Sequence, residues 1–130
     1  MKKPAVYISG KITGLDYQQA FANFERAEKF LIEQGFEPVN PMKKVSEQEG
    51  KTWKEYMLED IAMLWDCDAI YLLSNWTDSR GAKIEYVIAR QLELKIVFER
   101  WADEVYRLKS LLVDRQKNFA VAESGTAHLG

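Results

Sequence analysis

The sequence AVYISGKITG, residues 5–14, decides the fold of this chain. Residues 5–9 are a short apolar run with β-branched side chains, a pattern typical of a strand that is buried on both faces. Two glycines bound the loop at residues 10–14, and Asp16 then offers its side chain as the N-cap of a helix that ends near Gly35. The stretch therefore predicts a strand, a glycine loop and a helix that packs on a sheet.

The rest of the chain continues this alternation. Strands are predicted at residues 36–41, 68–73 and 95–98, a polar loop at residues 42–51, and helices at residues 52–66, 80–92 and 100–116. Strands that alternate with helices indicate a parallel sheet with right-handed connections. We therefore expect an α/β fold with a flavodoxin-like or Rossmann-like open parallel sheet of about four to five strands and helices on both faces. Residues 1–117 are expected to form one domain, and residues 118–130 a mobile C-terminal tail.

The composition limits the classes of function. A chain of 130 residues, 47% of them hydrophobic, can build the core of one domain without a metal or a disulfide. The formal net charge of -2 provides no field that would hold a nucleic-acid backbone, and the single cysteine, Cys67, cannot form an internal disulfide. His128 is the only histidine, which excludes a site built from several histidines. Because the sequence has neither a long apolar span nor a signal-peptide pattern, we expect a cytoplasmic protein without a membrane partner. We further expect it to bind a small molecule, without a metal, a cofactor or a nucleic-acid polymer as partner.

Three segments are expected to meet where a ligand binds. In an open parallel sheet this place lies beyond the carboxyl ends of the strands, and residues 10–14, 40–41 and 75–81 all follow predicted strands. Backbone N–H groups of residues 10–14 could bind a phosphate or a ribose, with Lys11 and Thr13 beside them. Because this loop matches neither a P-loop nor a dinucleotide-binding fingerprint, it is equally consistent with a tight turn.

Asp60 interrupts an apolar helical face. The helix that contains it has four apolar residues on one side, Trp53, Met57, Ile61 and Leu64. Asp60 lies on that side, three residues after Met57 and four before Leu64. A carboxylate that faces a core costs several kcal/mol unless it is paired or used. Asp60 is therefore a candidate acid or base with a raised pKa, unless it lies at the edge of the face and reaches water.

Glu85 lies close to the start of a helix. It is the last residue of SRGAKIE, residues 79–85, and falls within the first two turns after the predicted central strand. The helix dipole favours an anion near that end, which would keep the carboxylate ionised for nucleophilic attack. Acidic residues are also common in first turns without any chemical role, so the position alone does not decide. Trp76, in the loop before this helix, could stack on a base.

Together these features resemble the nucleoside 2-deoxyribosyltransferase superfamily. The matching features are Tyr7 in the first strand, the loop at residues 10–14, Asp60 eight residues before Asp68, and the pattern Ser79-x-Gly81-x-x-x-Glu85. The resemblance covers about residues 4–99 and includes features of the 2'-deoxynucleoside 5'-phosphate N-hydrolases.

The resemblance implies a role for each catalytic candidate. Glu85 would be the nucleophile that attacks the anomeric carbon, Asp60 the acid/base or base-binding group, and Tyr7 the residue that orients the nucleophile. It also implies a substrate site formed by Gly10, Lys11, Ile12, Thr13, Gly14, Asp78, Ser79 and Gly81. Because relatives build the site with residues of a neighbouring subunit, it further implies a homodimer or a higher homo-oligomer.

Some positions separate the branches of the superfamily. The nucleotide hydrolases have a serine and an arginine where this chain has Lys11 and Thr13, so a phosphate would have to be bound around a lysine. Ser79 matches their phosphate-contacting serine, whereas the transferases have an aspartate there, and the adjacent Asp78 keeps that alternative open. We therefore expect an N-glycosidase that acts on a nucleoside or deoxynucleoside 5'-monophosphate through a covalent glycosyl-Glu85 intermediate. The alternatives are a nucleoside 2-deoxyribosyltransferase and a catalytically silent nucleotide-binding module.

Overall fold

The structure is a computed structural model, and it describes residues 2–45, 48–99 and 112. Within these residues the chain forms a four-stranded parallel sheet with the order β2-β1-β3-β4. The strands are β1 (Ala5–Ser9), β2 (Glu37–Val39), β3 (Ala69–Leu72) and β4 (Lys95–Phe98). The helices are α1 (Tyr17–Glu33), α2 (Pro41–Lys44), α3 (Trp53–Trp65) and α4 (Arg80–Gln91). The expected α/β class with an open parallel sheet is confirmed.

Helices cover both faces of the sheet, as the sequence predicts. Side chains alternate along β1, so that Val6 and Ile8 pack in one hydrophobic cluster with Phe24 of α1. Tyr7 points to the opposite face and packs with Leu64 of α3. This alternation directs the odd-numbered residues of β1 towards α3 and α4, and it decides which β1 side chains can reach the site.

The predicted elements and the structure differ by a few residues at several ends and in one short helix. The strand predicted at residues 36–41 is limited to Glu37–Val39 at the edge of the sheet, where Pro38 needs no ladder donor. The expectation that residues 42–51 form only a polar loop is wrong, because Pro41–Lys44 is a single helical turn. The Asn40 side chain accepts a hydrogen bond from the Met42 N–H, and proline suits the first helical position.

Side-chain caps fix where the helices that flank the site begin. The Thr52 hydroxyl accepts from the N–H of Glu55 at the start of α3, as the capping-box pattern predicts. The Ser79 hydroxyl accepts from the N–H of Ala82 at 3.0 Å and caps α4. Both helix starts are therefore held at defined residues beside the carboxyl ends of the strands.

Several expectations concern residues outside the described part of the chain. The helix predicted at residues 100–116, the domain boundary at residue 117 and the tail at residues 118–130 lie there, except for Leu112. Leu112 is helical, and its buried side chain packs in the cluster that contains Val6 and Ile8. Among the helices of residues 2–45 and 48–99, none combines the length and apolar character that a membrane span needs.

The ends of β1 and β3 approach each other closely at the point where the sheet order reverses. The Leu73 N–H donates to the Ser9 carbonyl at 2.8 Å. A Cβ atom on Gly10 would lie 2.5 Å from Cδ1 and 2.8 Å from Cβ of Leu73. In a sheet with this order, the crevice for a ligand opens between these two strand ends. Glycine at position 10 therefore lets the loop at residues 10–14 leave β1 directly beside β3.

We predict that Gly10→Ala lowers the free energy of unfolding by about 1 to 3 kcal/mol, the usual cost of adding a methyl group to a filled space. Urea unfolding followed by circular dichroism measures the loss. The matched comparison is the same substitution in a Leu73→Ala background, where the space is open and the cost of the added methyl should shrink. An equal cost in both backgrounds would show that the contact with Leu73 does not explain the glycine.

Candidate active site

A cavity of about 660 Å³ opens at the carboxyl ends of the strands. Its walls come from the end of β1, the following glycine loop, one side of α3 and the start of α4. Tyr7, Asp60 and Glu85, which are far apart in the sequence, all line this one cavity. A further wall is apolar and includes Phe24 of α1 and Met42 of α2. The cavity thus combines a carboxylate centre with apolar surface, as in most small-molecule sites.

Glu85 is held by two hydroxyl groups of β1. The Tyr7 hydroxyl donates to Glu85 Oε2 at 2.7 Å, and the Ser9 hydroxyl donates to Oε1 at 2.6 Å. Tyr7, Ser9 and Glu85 are all buried, with exposed fractions of 0%, 1% and 4%. Residues two apart on a strand share a face, so one strand supplies both donors. The carboxylate plane is therefore fixed from both sides.

Burial dominates the electrostatics of Glu85. Desolvation, together with the charge of Asp60, raises the pKa of Glu85 to about 7, while the hydrogen bonds from Ser9 and Tyr7 act in the opposite direction. The position of Glu85 near the start of α4 predicts a helix dipole that favours the ionised form, and the loss of water on burial acts against that form. Burial and the Glu85 charge also raise the pKa of Tyr7 well above its ordinary value, so Tyr7 stays a donor at neutral pH.

Asp60 is the second carboxyl group of the cavity. Desolvation and the neighbouring Glu59 raise its pKa to about 7, and Lys51 opposes this effect. The direction of the shift is the one expected for a carboxyl on the apolar side of α3. The pKa values of both carboxyl groups lie near neutrality, and the charge of Asp60 contributes to the shift of Glu85. Two such groups can exist as one acid and one base in the same site.

The close contact of α3 with α4 brings these two carboxyl groups to one cavity. Gly81 lies in the first turn of α4, and a Cβ atom there would be 3.0 Å from Sδ of Met57 on α3. Asp60 follows Met57 by one helical turn, and Glu85 follows Gly81 by one turn. Glycine at position 81 thus permits the close contact of α3 with α4 that places Asp60 and Glu85 in the same cavity.

The structure places almost every predicted substrate-binding residue at the cavity. Those that line it are Gly10, Lys11, Ile12, Thr13, Asp78, Ser79 and Gly81. Gly14 is not among the lining residues, and its φ of 90° instead serves the turn that follows. The Ser79 hydroxyl caps α4 and lies 3.5 Å from the Gly10 carbonyl, so its oxygen is engaged but its proton is weakly bound.

Sequence reasoning missed three residues of this site. Ser9 was overlooked as a donor to Glu85, although a hydroxyl two residues after Tyr7 on the same strand face was a usable signal. Trp53 and Arg80 also line the cavity, and the Arg80 guanidinium stacks over the Trp53 ring with its carbon 4.3 Å from the ring centroid. Trp76, the tryptophan expected to face a base, instead packs on Tyr86 and Phe98 away from the cavity.

The described residues contain no grouping of three or more His, Cys, Asp or Glu side chains that could hold a metal ion. A buried carboxylate fixed by two donors can act as a nucleophile, and a protonated carboxyl across the cavity can act as an acid.

Comparisons with known proteins show the family and a similar fold. The fold is similar to that of a 2-deoxyribosyltransferase from the psychrotolerant bacterium Bacillus psychrosaccharolyticus, with a TM-score of 0.56 and 15% sequence identity over 72% of this chain and 70% of that chain. No curated protein matches the sequence at a significant level. The family described as a domain of unknown function, DUF4406, matches residues 4–98, and the chain belongs to this family.

We predict that replacing the Glu85 carboxyl group stabilises the protein at alkaline pH. The pKa of Glu85 is higher in the folded protein than in the unfolded chain, so folding binds protons between about pH 4.5 and pH 7, and the free energy of unfolding falls as pH rises through this window. Glu85→Gln should therefore raise it at pH 8 by on the order of 3 kcal/mol, with little gain at pH 4.

Urea unfolding at both pH values measures this difference, with Glu33→Gln as the control because Glu33 is an exposed glutamate at the end of α1. If Glu85→Gln changes stability equally at pH 4 and pH 8, the Glu85 carboxyl does not pay a desolvation cost in the folded protein.

Proposed function

We propose that this protein is an N-glycosidase that cleaves the bond between the base and the sugar of a nucleoside or deoxynucleoside 5'-monophosphate. The observation on which the proposal rests is the buried Glu85 carboxylate, held by hydroxyl donors on both oxygens and facing a cavity that it shares with Asp60. The fold shared with a 2-deoxyribosyltransferase supports glycosyl transfer as the class of chemistry.

The proposed reaction has two steps. Glu85 attacks the anomeric carbon C1' while the C1'–N bond to the base breaks, and a glycosyl ester with Glu85 forms through an oxocarbenium-like transition state. Asp60 gives its proton to the departing base. Water then attacks C1', with Asp60 as the base, and releases the sugar phosphate and the Glu85 carboxylate. Tyr7 donates to Glu85 throughout and orients it.

The proton distribution required by these steps fits the surroundings of the two carboxyl groups. Donors on both oxygens stabilise the anion at Glu85. The carboxyl of Asp60 is half-buried and lies near the negative charge of Glu59, which favours its neutral form. We therefore assign the proton of the first step to Asp60 and the attacking carboxylate to Glu85.

Two cationic side chains support a phosphate on the substrate. Lys11 and Arg80 both line the cavity, together with the hydroxyl of Ser79 at the start of α4. The Arg80 guanidinium lies over the Trp53 ring beside the cavity, and guanidinium N–H groups bind phosphate well. Helix N-termini attract phosphate through their free N–H groups. Arg80 would thus supply the guanidinium that the loop at residues 10–14 does not contain.

A nucleoside 2-deoxyribosyltransferase is the second candidate, because Asp78 lines the cavity next to Ser79 and could bind a sugar hydroxyl. The third, a nucleotide-binding module without activity, has the same cavity but no turnover. A panel of nucleosides and 5'-monophosphates, each with and without a second free base, separates them by chromatography. The hydrolase releases free base and sugar phosphate, the transferase makes a new nucleoside, and the binding module leaves every compound intact.

A homodimer is part of the proposal. Leu58 and Trp65 lie two turns apart on α3 and are 70% and 60% exposed, and Val87 on α4 is 56% exposed. Apolar side chains of this size on neighbouring helices favour contact with a second copy of the chain.

We predict that Glu85→Ala abolishes the release of base and that Asp60→Asn slows it by roughly 10²-fold or more, as expected for a nucleophile and a general acid/base. Steady-state rates over pH 5 to 9 provide the measurement, and circular dichroism confirms that the variants fold. Glu55→Gln is the control, since Glu55 lies on α3 outside the cavity. A Glu85→Ala variant that turns over at the wild-type rate would remove Glu85 from the nucleophile position.

We predict that the wild-type enzyme prefers the 5'-monophosphate to the nucleoside by several orders of magnitude in kcat/KM, since each charge-assisted hydrogen bond to the phosphate contributes about 1.5 to 3 kcal/mol. Ser79→Asp should reduce kcat/KM for the monophosphate far more than for the nucleoside, because it places a carboxylate against the phosphate. Aspartate caps helices as well as serine does, so α4 should keep its start.

Arg80→Ala and Lys11→Ala should reduce the same preference. Rates for one base in both forms, with all variants side by side, provide the measurement. A wild-type enzyme that prefers the unphosphorylated nucleoside would contradict the phosphate site and favour the transferase.

A further inference from the structure

The Ser9 hydroxyl donates a hydrogen bond to Glu85 that the packing of β1 does not require. Ser9 ends β1 with 1% of its surface exposed, and its hydroxyl lies 2.6 Å from Glu85 Oε1. Its backbone carbonyl already has a partner in the Leu73 N–H, so the side chain is not needed to satisfy the main chain there. An apolar residue would fill the same space without the cost of burying a hydroxyl group. The hydrogen bond to the Glu85 carboxylate therefore explains why a hydroxyl group occupies this position.

The two donors to Glu85 are not equivalent. Tyr7 donates from the middle of β1 to Oε2, whereas Ser9 donates from its carboxyl end, next to the glycine loop that lines the cavity. Of the two hydrogen bonds, that of Ser9 has the larger effect in stabilising the ionised form of Glu85. Short hydrogen bonds to a carboxylate are roughly twice as strong as those between neutral groups.

We infer that Ser9 is a positioning residue that keeps the Glu85 carboxylate ionised and in a fixed plane in this water-poor site. The inference rests on the proposed function for its catalytic consequence. Ser9 keeps its own proton in both steps. While the glycosyl ester exists, its hydroxyl stays beside the ester oxygens, and when water breaks the C1'–O bond it again stabilises the departing carboxylate.

The other groups that face Glu85 do not replace this donor. Tyr7 already uses its hydroxyl on Oε2, and Asp60 on α3 raises the pKa of Glu85 instead of lowering it. The remaining charged residues of the cavity, Lys11, Asp78 and Arg80, lie in the loop after β1 and around the start of α4. Removing the Ser9 hydroxyl should therefore shift the ionisation of Glu85 towards higher pH without compensation from these groups.

The test measures the ionisation of Glu85 directly and needs no substrate. Carbon-13 spectra of protein labelled at its glutamate carboxyl groups give the pKa of Glu85, whose signal is assigned by its loss in Glu85→Gln. Ser9→Ala should raise this pKa by about one unit or more, the loss expected for one hydrogen bond to a charged group. Ser9→Thr retains a hydroxyl and should restore the wild-type value. Ser74→Ala is the matched control, since Ser74 is an exposed serine just after β3.

Activity provides the second readout. With a substrate that the wild type cleaves, the acid limb of kcat/KM for Ser9→Ala should move to higher pH by the same amount. The variant should therefore be about fivefold slower than the wild type at pH 7, and this ratio should approach one near pH 9. An unchanged pKa of Glu85 in Ser9→Ala overturns the inference whatever the rates are. Absence of base release by the wild type contradicts the proposed function alone, because the spectra still decide the role of Ser9 in the charge of Glu85.

Discussion

The burial of one carboxylate is the constraint on which the rest of this structure depends. A glutamate side chain with 4% exposure is tolerated because β1 presents two hydroxyl groups to it, one to each oxygen. This arrangement requires β1 at the centre of the sheet, Tyr7 and Ser9 on the face that α4 covers, and a helix start near Ser79 that brings Glu85 into register. The parallel order of the strands and the close contacts of Gly10 with Leu73 and of Gly81 with Met57 help to place these groups around Glu85.

The same burial couples the site to the stability of the fold. Both carboxyl groups of the cavity have pKa values raised mainly by the loss of water, so the groups suited to chemistry are also groups that the folded protein accommodates at a cost. Helices α3 and α4 each contribute one of them, and the contact between Gly81 and Met57 sets how closely these helices pack.

Much of the fold could be predicted because its elements have strong local signals. The strand at Lys95–Phe98 and the caps at Thr52 and Asp16 follow directly from hydrophobic runs and side-chain chemistry. The helical turn at Pro41–Lys44 was missed because four residues are too few to show a helical periodicity, although Asn40 and Pro41 are residue types that favour the start of a helix.

The site was predictable to the extent that its residues break a pattern. Asp60 could be found because it interrupts an apolar face. The signal for Ser9 was weaker: it lies two residues after Tyr7 on the same strand face, but a serine at the end of a strand is ordinary until its partner is known. The helix dipole near Glu85 can be inferred from position, whereas the depth of its burial is a property of the packed protein. Trp53, at the start of α3, lines the cavity, whereas Trp76 packs on Tyr86 and Phe98.

The Ser79 hydroxyl at the start of α4 can donate a hydrogen bond to a ligand while it caps the helix. Its oxygen accepts the Ala82 N–H through a lone pair, while its proton reaches the Gly10 carbonyl only at 3.5 Å. An anion that took this proton would leave the cap intact, because a hydroxyl can donate and accept at once. A hydrogen bond from the Ser79 proton to the ligand would then strengthen the bond that the Ser79 oxygen accepts from the helix, since linked hydrogen bonds polarise each other. Ligand binding would therefore stabilise the first turn of α4.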